Sequence, residues 1–531
     1  MQIRTDRIVF KLFGKDPSDL PIVLRKQILD WLSSSPTDIE SYIRPGCVVL
    51  TIYVCMDKNN WQELYFNLNS SLRRFVDSSN DLFWRTGWIY TQVRHHATFL
   101  YNGQVVLDSP LPVNIHQCCK ITSVTPIAVS LSEDVRFVVK GFNLSCSTSR
   151  LLCALEGKYL VHESCADVID ESDSVIEHEE TQCFSFSCVI PNFAGRGFIE
   201  VEDHGLSSTF FPFIVAEKDT CSEIRNLESV IARDNALDFI HEMGWLLHKS
   251  RLRFRLGAKS DDVDQFPLKR FRWLIEFAIG RDWCAVLNKL LSAVFDGDVC
   301  VGPHTSVLGA LLDIGILHQA VRRKRRPVVR FLLEYRPSEG HDEGCYLFRP
   351  DTVGPGGLTP LHVAASMDGC DDVLDELTDD PGSVGIEAWK NIRDNMGFTP
   401  YDYACMRGRY SYIHLVRRKA NKNKSGTEQV VVDIPDGSAI KKKIRIATNY
   451  ATKAEKLAAL EMEKNVCMQC DRKLSYGQCG SRSSVVIYRP AMVSMVAIAA
   501  ICVCAALLFK SLPEVLPFKP FSWELLKYGS Q

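Results

Sequence analysis

Three rhythms of apolar and polar residues succeed one another along the chain. From 1 to about 115 the pattern is mixed. Ile22, Val23, Ile28, Leu29 and Leu32 mark a helical stripe over Pro21–Leu32, stopped by the Ser33-Ser34-Ser35-Pro36 breaker. Cys47–Val54 is a β-branched run, and Ala97–Val106 carries Asn102-Gly103 between apolar halves, the signature of a two-residue hairpin turn. Trp31, Trp61, Trp84 and Trp88 need a packed interior, so this segment is a domain and not a tail. Between 118 and 216 the period becomes two. Val135, Phe137 and Val139 alternate with charged residues, Phe184, Phe186 and Cys188 with serines, and Ile199 and Val201 with Glu200 and Glu202, which predicts a small sandwich. The acidic stretch 167–180 reads as a solvated loop between strands. From about 221 the period is helical: Phe239, Ile240, Met243, Leu246 and Leu247 share one face, and 269–295 gives two stripes around Gly280-Arg281-Asp282. Last comes Ala491–Phe509, nineteen residues without a charge and with Ser494 alone polar, at the lower end of what spans a bilayer.

One short phrase occurs twice. Gly356-Gly357-Leu358-Thr359-Pro360-Leu361-His362-Val363-Ala364-Ala365 is answered by Gly397-Phe398-Thr399-Pro400-Tyr401-Asp402-Tyr403-Ala404. Thr359 and Thr399 can cap a helix, and Pro360 and Pro400 suit the first helical position, where a missing N–H costs nothing. Ala364 and Ala404 are small where paired helices press together, and His362 can bond back toward its capping threonine. The phrase resembles the opening of an ankyrin repeat. The two Thr-Pro pairs begin at 359 and 399, a spacing of 40 against the usual ~33, and the excess is placed in the loop Asp379–Ser383. Gly315–Val321 followed by Val328–Leu333 has the same design without Thr-Pro, with His318 in the place of His362. At least three repeats are needed to bury a continuous core, and this pair supplies the third. The sandwich region, with Ile121-Thr122-Ser123-Val124-Thr125-Pro126, Gly141-Phe142-Asn143-Leu144 and Cys188–Pro191, resembles an immunoglobulin-like TIG domain.

The predicted architecture is therefore multidomain α+β. An N-terminal mixed α/β domain (1–115) precedes a TIG- or Ig-like β-sandwich (118–216), a helical connector (221–264) and an ankyrin-repeat region (265–420). A polar linker with a helix over Thr452–Val466 (421–484), the apolar segment 491–509 and a tail (510–531) complete it. With 531 residues and a net charge of −2, the chain as a whole is no polyanion-binding surface. Twenty cysteines without regular spacing, behind an N-terminus lacking an apolar core, point to free thiols in a reducing compartment. Cys467-Met468-Gln469-Cys470 with Cys479 is half a zinc site at best, and free or acylated thiols fit it better. The basic runs Arg322–Arg326 and Lys441–Lys443 read either as import signals or as solvated charge. Segment 491–509 reads either as a membrane span or as a helix docked in a groove. No nucleophile elbow, Walker loop, zincin or dinucleotide fingerprint is present, which argues against an enzyme. His95-His96 lies amid strand formers and reads as structural.

Several stretches together resemble one family. These are Asp6–Lys15 with Leu20-Pro21; Ile28–Ser33 with Tyr42–Cys47; Gly315–His318; the Thr359 phrase; and the ending Pro520–Gly529. They are similar to the C-terminal region of the large SBP-box, or SQUAMOSA promoter-binding-like, transcription factors of plants. The resemblance implies a role in transcriptional regulation, a nuclear location and partners captured by the ankyrin stack. The family's zinc-binding DNA-reading module, with its Cys/His ligand set and basic tail, has no counterpart in these residues, so neither zinc nor direct promoter contact is expected of them. On this reading the chain is a fragment or shortened product, or a truncated competitor of full-length factors. The alternative is a membrane-tethered ankyrin adaptor. The turn residues Asp394, Asn395 and Met396 are the expected partner contacts, with His318 and the helix-pair residues Leu361 and Ala365 holding the stack.

Overall fold

A computed structural model describes residues 3–424 apart from 45–47, 80, 111–118, 145–148, 165–180, 204–205, 231–234, 258–264 and 338–345. The acidic stretch 167–180, the Lys441 run, the 452–466 helix, Cys467, Cys470, Cys479, segment 491–509 and the closing phrase lie outside the described residues. Among the described residues no helix is long and apolar enough to cross a membrane.

The first sheet runs in the order β2-β3-β1-β4-β5-β6. Its strands are β1 (Ile3–Leu12), β2 (Asp38–Arg44), β3 (Val48–Asp57), β4 (Trp88–Val93), β5 (His96–Tyr101) and β6 (Gln104–Pro110), every pair antiparallel. Pairing of Ile8 with Ile52 and Val93 sets Ile8, Phe10, Leu12, Leu50, Val54 and Met56 on one face. Helices α1 (Leu24–Trp31), α2 (Lys58–Phe66), α3 (Leu68–Ser78) and α4 (Leu82–Arg85) cover that face with Ile28, Trp61, Leu72, Phe75 and Trp84. Buried indoles need hydrogen-bond partners: Trp61 donates to Arg4 O at 2.9 Å and Trp84 to Gln27 Oε1 at 2.9 Å. The Asn102-Gly103 turn joins β5 to β6 with both residues at positive φ, 48° and 77°. Those are the values a tight hairpin needs to match strand twist.

The second region is a sandwich. A five-stranded sheet in the order β11-β10-β13-β14-β8 faces a three-stranded sheet β12-β9-β7. The strands are β7 (Lys120–Thr125), β8 (Ala128–Ser130), β9 (Asp134–Phe142), β10 (Arg150–Leu155), β11 (Lys158–Ser164), β12 (Thr181–Val189), β13 (Gly195–Asp203) and β14 (Leu206–Ala216). Phe137 meets Phe186 at 5.3 Å on its own sheet and Phe213 at 5.1 Å on the other, which fixes the inner faces. Gly197 lacks the Cβ that would lie 2.3 Å from Phe213 Cζ, and so lets that ring lie flat across its strand.

The outer face of the five-stranded sheet is also buried, because the first sheet and α6 (Ala236–Leu256) close on it; α5 (Lys218–Ile224) leads from β14 toward α6. Tyr53 of β3 stacks on Phe198 of β13 at 3.7 Å and 4°. Trp245 of α6 donates to Thr5 Oγ1 at 2.9 Å, and the Arg196 guanidinium lies 3.5 Å over its ring. Thus α6 is no linker: Phe239, Met243, Trp245, His248 and Lys249 are all buried.

This junction is unusually charged for an interior. Arg7 pairs with Glu200 at 3.1 Å, Lys249 with Asp38 at 2.8 Å and His248 with Glu156 at 2.8 Å, while Arg270 bridges Asp38 and Glu242. Burial pushes the Asp38 carboxyl up, but Arg270 and Lys249 overcome it and hold the group well below the usual carboxylate range. Glu40, Glu156 and His248 bring three ligand atoms within 4.8 Å of one another. Arg196 Nε lies 3.4 Å from Glu40, so the cluster already holds its own cation, although burial still raises the Glu40 pKa. Burying these charges costs solvation, and fixed geometry is what they return.

Candidate protein-interaction surface

From 268 onward helices pair and stack. The pairs are α7 (Leu268–Ile279) with α8 (Cys284–Phe295), α10 (Ile316–Arg322) with α11 (Arg326–Glu334), α12 (Pro360–Ser366) with α13 (Asp371–Thr378), and α15 (Pro400–Met406) with α16 (Tyr410–Lys424). First helices pack in one row, α7-α10-α12-α15, and second helices in another, α8-α11-α13-α16. Leu361, Ala364, Ala365 and Ala404 are fully buried where the rows meet, and Pro360 and Pro400 open their helices from buried positions.

The last three rungs are tied to one another through histidines. Thr359 Oγ1 accepts from His362 N at 3.4 Å, and His362 Nδ1 accepts from Thr359 N at 3.1 Å, closing a capping box. The same ring donates from Nε2 to Phe398 O at 3.0 Å, immediately before the next cap, Thr399. One rung earlier, His318 Nε2 donates to Leu358 O at 3.0 Å, immediately before Thr359. Both rings use Nε2 as donor, and His362 Nδ1 accepts from a backbone N–H, as a neutral imidazole can. Burial lowers the pKa of both, in keeping with that charge state. At the end of the series Asp402 takes the histidine's place and accepts from Thr399 N at 3.0 Å.

Two details differ from the expected plan. The extra length between the Thr-Pro pairs is not confined to a loop: a turn held by Asp380, which accepts from Val384 N and Gly385 N, starts a short helix α14 (Gly385–Asn391). Trp389 of α14 is 1% exposed, so the insertion is anchored in the stack. The His318 pair has no finger loop; α9 (Val307–Ile314), capped by Ser306, enters α10 directly through left-handed Gly315 at φ 66°. Thr-Pro is absent there because a helix stands where the finger would be.

The fingers ahead of Thr359 and Thr399 stack on each other. Asn395 N donates to Gly356 O at 3.2 Å. Gly357 has φ 77°, and a Cβ there would lie 2.5 Å from Asn395 Oδ1, so both backbone angle and space demand glycine. Asp394 is buried, and its carboxylate accepts from Met396 N and Phe398 N at 2.9 Å each and from the Tyr403 hydroxyl at 2.7 Å. Its expected place among the partner contacts gives way to an internal one, because both carboxylate oxygens are used in shaping the finger. Asn395 and Met396 are exposed at the tip. Val353 on the preceding finger is 64% exposed and Met396 52%, with Tyr401 also open on α15. Sequence reasoning missed Val353, since nothing local distinguishes it from a loop valine.

The basic run Arg322–Arg326 lies at the α10–α11 turn and reaches both neighbouring rungs. Arg325 pairs with Asp282 at 2.9 Å and Arg326 with Glu376 at 2.7 Å, while Arg323 donates to the Glu276 carbonyl. His96 meets Asp108 across β5 and β6 at 2.5 Å, a cross-strand contact.

Helix pairs with capped Thr-Pro starts, stacked through histidine relays beside a two-sheet sandwich, define an ankyrin-repeat protein with an immunoglobulin-like module. Family models agree: ankyrin repeats (3 copies) match 317–425, and an SPL7-like, immunoglobulin-like domain matches 114–226. Over 100% of its length the chain is 52% identical to squamosa promoter-binding-like protein 1 of Arabidopsis thaliana, covering 59% of that relative. Squamosa promoter-binding-like proteins 6 and 1 of Oryza sativa subsp. japonica are 45% and 40% identical over 99% of the chain, with 55% and 64% of their own lengths covered. The chain belongs to the squamosa promoter-binding-like family and spans somewhat more than half the length of these relatives.

Proposed function

We propose that this chain is a protein-interaction region of a plant transcriptional regulator, holding partners on the exposed finger tips of its ankyrin stack in the nucleus. The observation that carries the reading is the pair of adjacent fingers, hydrogen-bonded to each other, that leaves apolar Met396 exposed at one tip with Asn395 beside it and apolar Val353 exposed at the entry to the preceding finger. A rigid, desolvation-ready tip suits recognition of another folded or extended protein, because little order has to be gained on binding. The relatives' name, promoter-binding-like, supports the regulatory setting. Promoter contact itself is assigned to no described residue, and no cofactor enters the reading. Changing Val353 and Met396 together to aspartate should leave the helical circular-dichroism signal and melting temperature unchanged. It should also remove proteins co-precipitated by the wild-type chain from plant nuclear extract. Recovery of the same partners at the same yield by the folded double variant would refute the assignment.

A further inference from the structure

The sandwich places two thiols face to face between its sheets. Cys153 lies on β10 of the five-stranded sheet, paired with Ile199 of β13 and Val161 of β11. Cys188 lies on β12 of the three-stranded sheet, opposite Val135 of β9. Both side chains point into the common core: Cys153 is 0% exposed and Cys188 6%. They touch across the gap, the Cys153 thiol hydrogen-bonding to the Cys188 sulfur. Sheet-to-sheet contact of two sulfurs is the arrangement from which an immunoglobulin-type sandwich is pinned by a disulfide. In sequence the two residues are 35 apart, within a chain of 20 cysteines, and nothing local pairs them.

We propose that Cys153 and Cys188 are an oxidation site, forming an inter-sheet disulfide when the protein meets a peroxide. Cys188 is the attacking thiol. β12 is the outer strand of its sheet, and the adjacent Val189 is 71% exposed, so a molecule as small as hydrogen peroxide reaches the strand end. The hydrogen bond from Cys153 also lowers the Cys188 pKa and raises that of Cys153, which assigns the thiolate to the more accessible sulfur. The thiolate attacks one peroxide oxygen and the O–O bond breaks. Sulfenic acid forms on Cys188, and hydroxide leaves as water with the proton the thiol gave up. The Cys153 sulfur then attacks the Cys188 sulfur; the S–S bond forms, the S–O bond breaks, and a second water departs with the Cys153 proton. Two thiols have lost two electrons and one peroxide has become two waters.

The consequence is mechanical. The bond would join the sheet that packs on the N-terminal region to the sheet that does not, closing a loop that contains the acidic stretch 167–180. Closing such a loop restricts the unfolded chain, so the oxidised sandwich melts higher, by on the order of 10 °C. The test treats the full chain with hydrogen peroxide, alkylates remaining thiols and maps peptides by mass spectrometry, with calorimetry alongside. A dithiothreitol-reversible Cys153–Cys188 peptide and a higher sandwich transition, both lost in Cys188→Ser and in Cys153→Ser, are the expected results. Separate alkylation of both residues in wild-type protein whose other thiols have oxidised would overturn the proposal, as would a melting shift that survives in Cys188→Ser. The wild-type mapping needs no variant, so it decides between these outcomes even if a serine variant folds poorly.

Discussion

The junction around α6 and the ankyrin stack solve the same problem, holding polar groups inside a protein, by opposite means. At the junction, side chains from distant parts of the chain neutralise one another: Arg270 meets Asp38, 232 residues away, and Arg7 meets Glu200. In the stack, side chains neutralise the backbone. His318, His362, Thr359, Thr399 and Asp394 spend their capacity on N–H and C=O groups of the same or the next rung. The first device depends on the whole fold being in place. The second is rebuilt at each repeat from a few neighbouring residues, so it tolerates an insertion such as α14 without losing the pattern.

That contrast can be broken at its strongest point first. Arg270→Ala leaves the buried Glu242 carboxylate without its cation and Asp38 with Lys249 alone, and removal of one partner of a buried pair costs about 3–5 kcal/mol. Urea unfolding followed by tryptophan fluorescence should show a loss of that size. A loss below about 1 kcal/mol would mean that water replaces the guanidinium and the junction is not closed.

Thr359→Ala and Thr399→Ala each remove one cap and should cost about 1 kcal/mol. Hydrogen exchange should place the loss within the repeats while the amides of β1 and β3 keep their protection. Equal loss of protection in the first sheet would show that stack and junction unfold as one unit, and the contrast between them would fail.

The smallest effect is a pH slope. His318 and His362 are buried with lowered pKa values, so between their folded pKa and about pH 6.5 the unfolded state binds more protons than the folded one. Their contribution is complete above pH 6.5 and is lost as pH falls through the folded values. Thermal melts of the wild-type chain should therefore decline with acidification in that window, and His362→Gln should make the decline shallower. An unchanged slope in His362→Gln would show that other groups, such as His241, lowered by burial to about 3, carry the dependence.

What could be read in advance follows the same division. The Asn102-Gly103 hairpin, the alternation of Val135, Phe137 and Val139, and the two Thr-Pro caps are local devices, set by backbone angles and neighbours within a few residues. They stand in the structure at the residues that encode them. The helix marked over 21–32 begins only at Leu24, since the boundary depends on how the chain enters from Pro21. Asp394 illustrates the limit at the candidate surface. Its place in the finger is visible in the sequence, but whether its carboxylate faces a partner or its own backbone depends on the finger's curl and on Tyr403, 9 residues on.

By itself, then, the sequence determined the order of folds, the repeat and its caps, because short-range hydrogen bonding and hydrophobic period need only adjacent residues. Tertiary structure alone decided that α6 is buried between two sheets, that Glu200 and Arg196 on an alternating strand face an interior and not water, and that Cys153 meets Cys188. The physical reason is that burial on the second face of a sheet is a property of what packs there. A charged residue at a strand's polar positions looks identical whether its outer neighbour is solvent or another sheet.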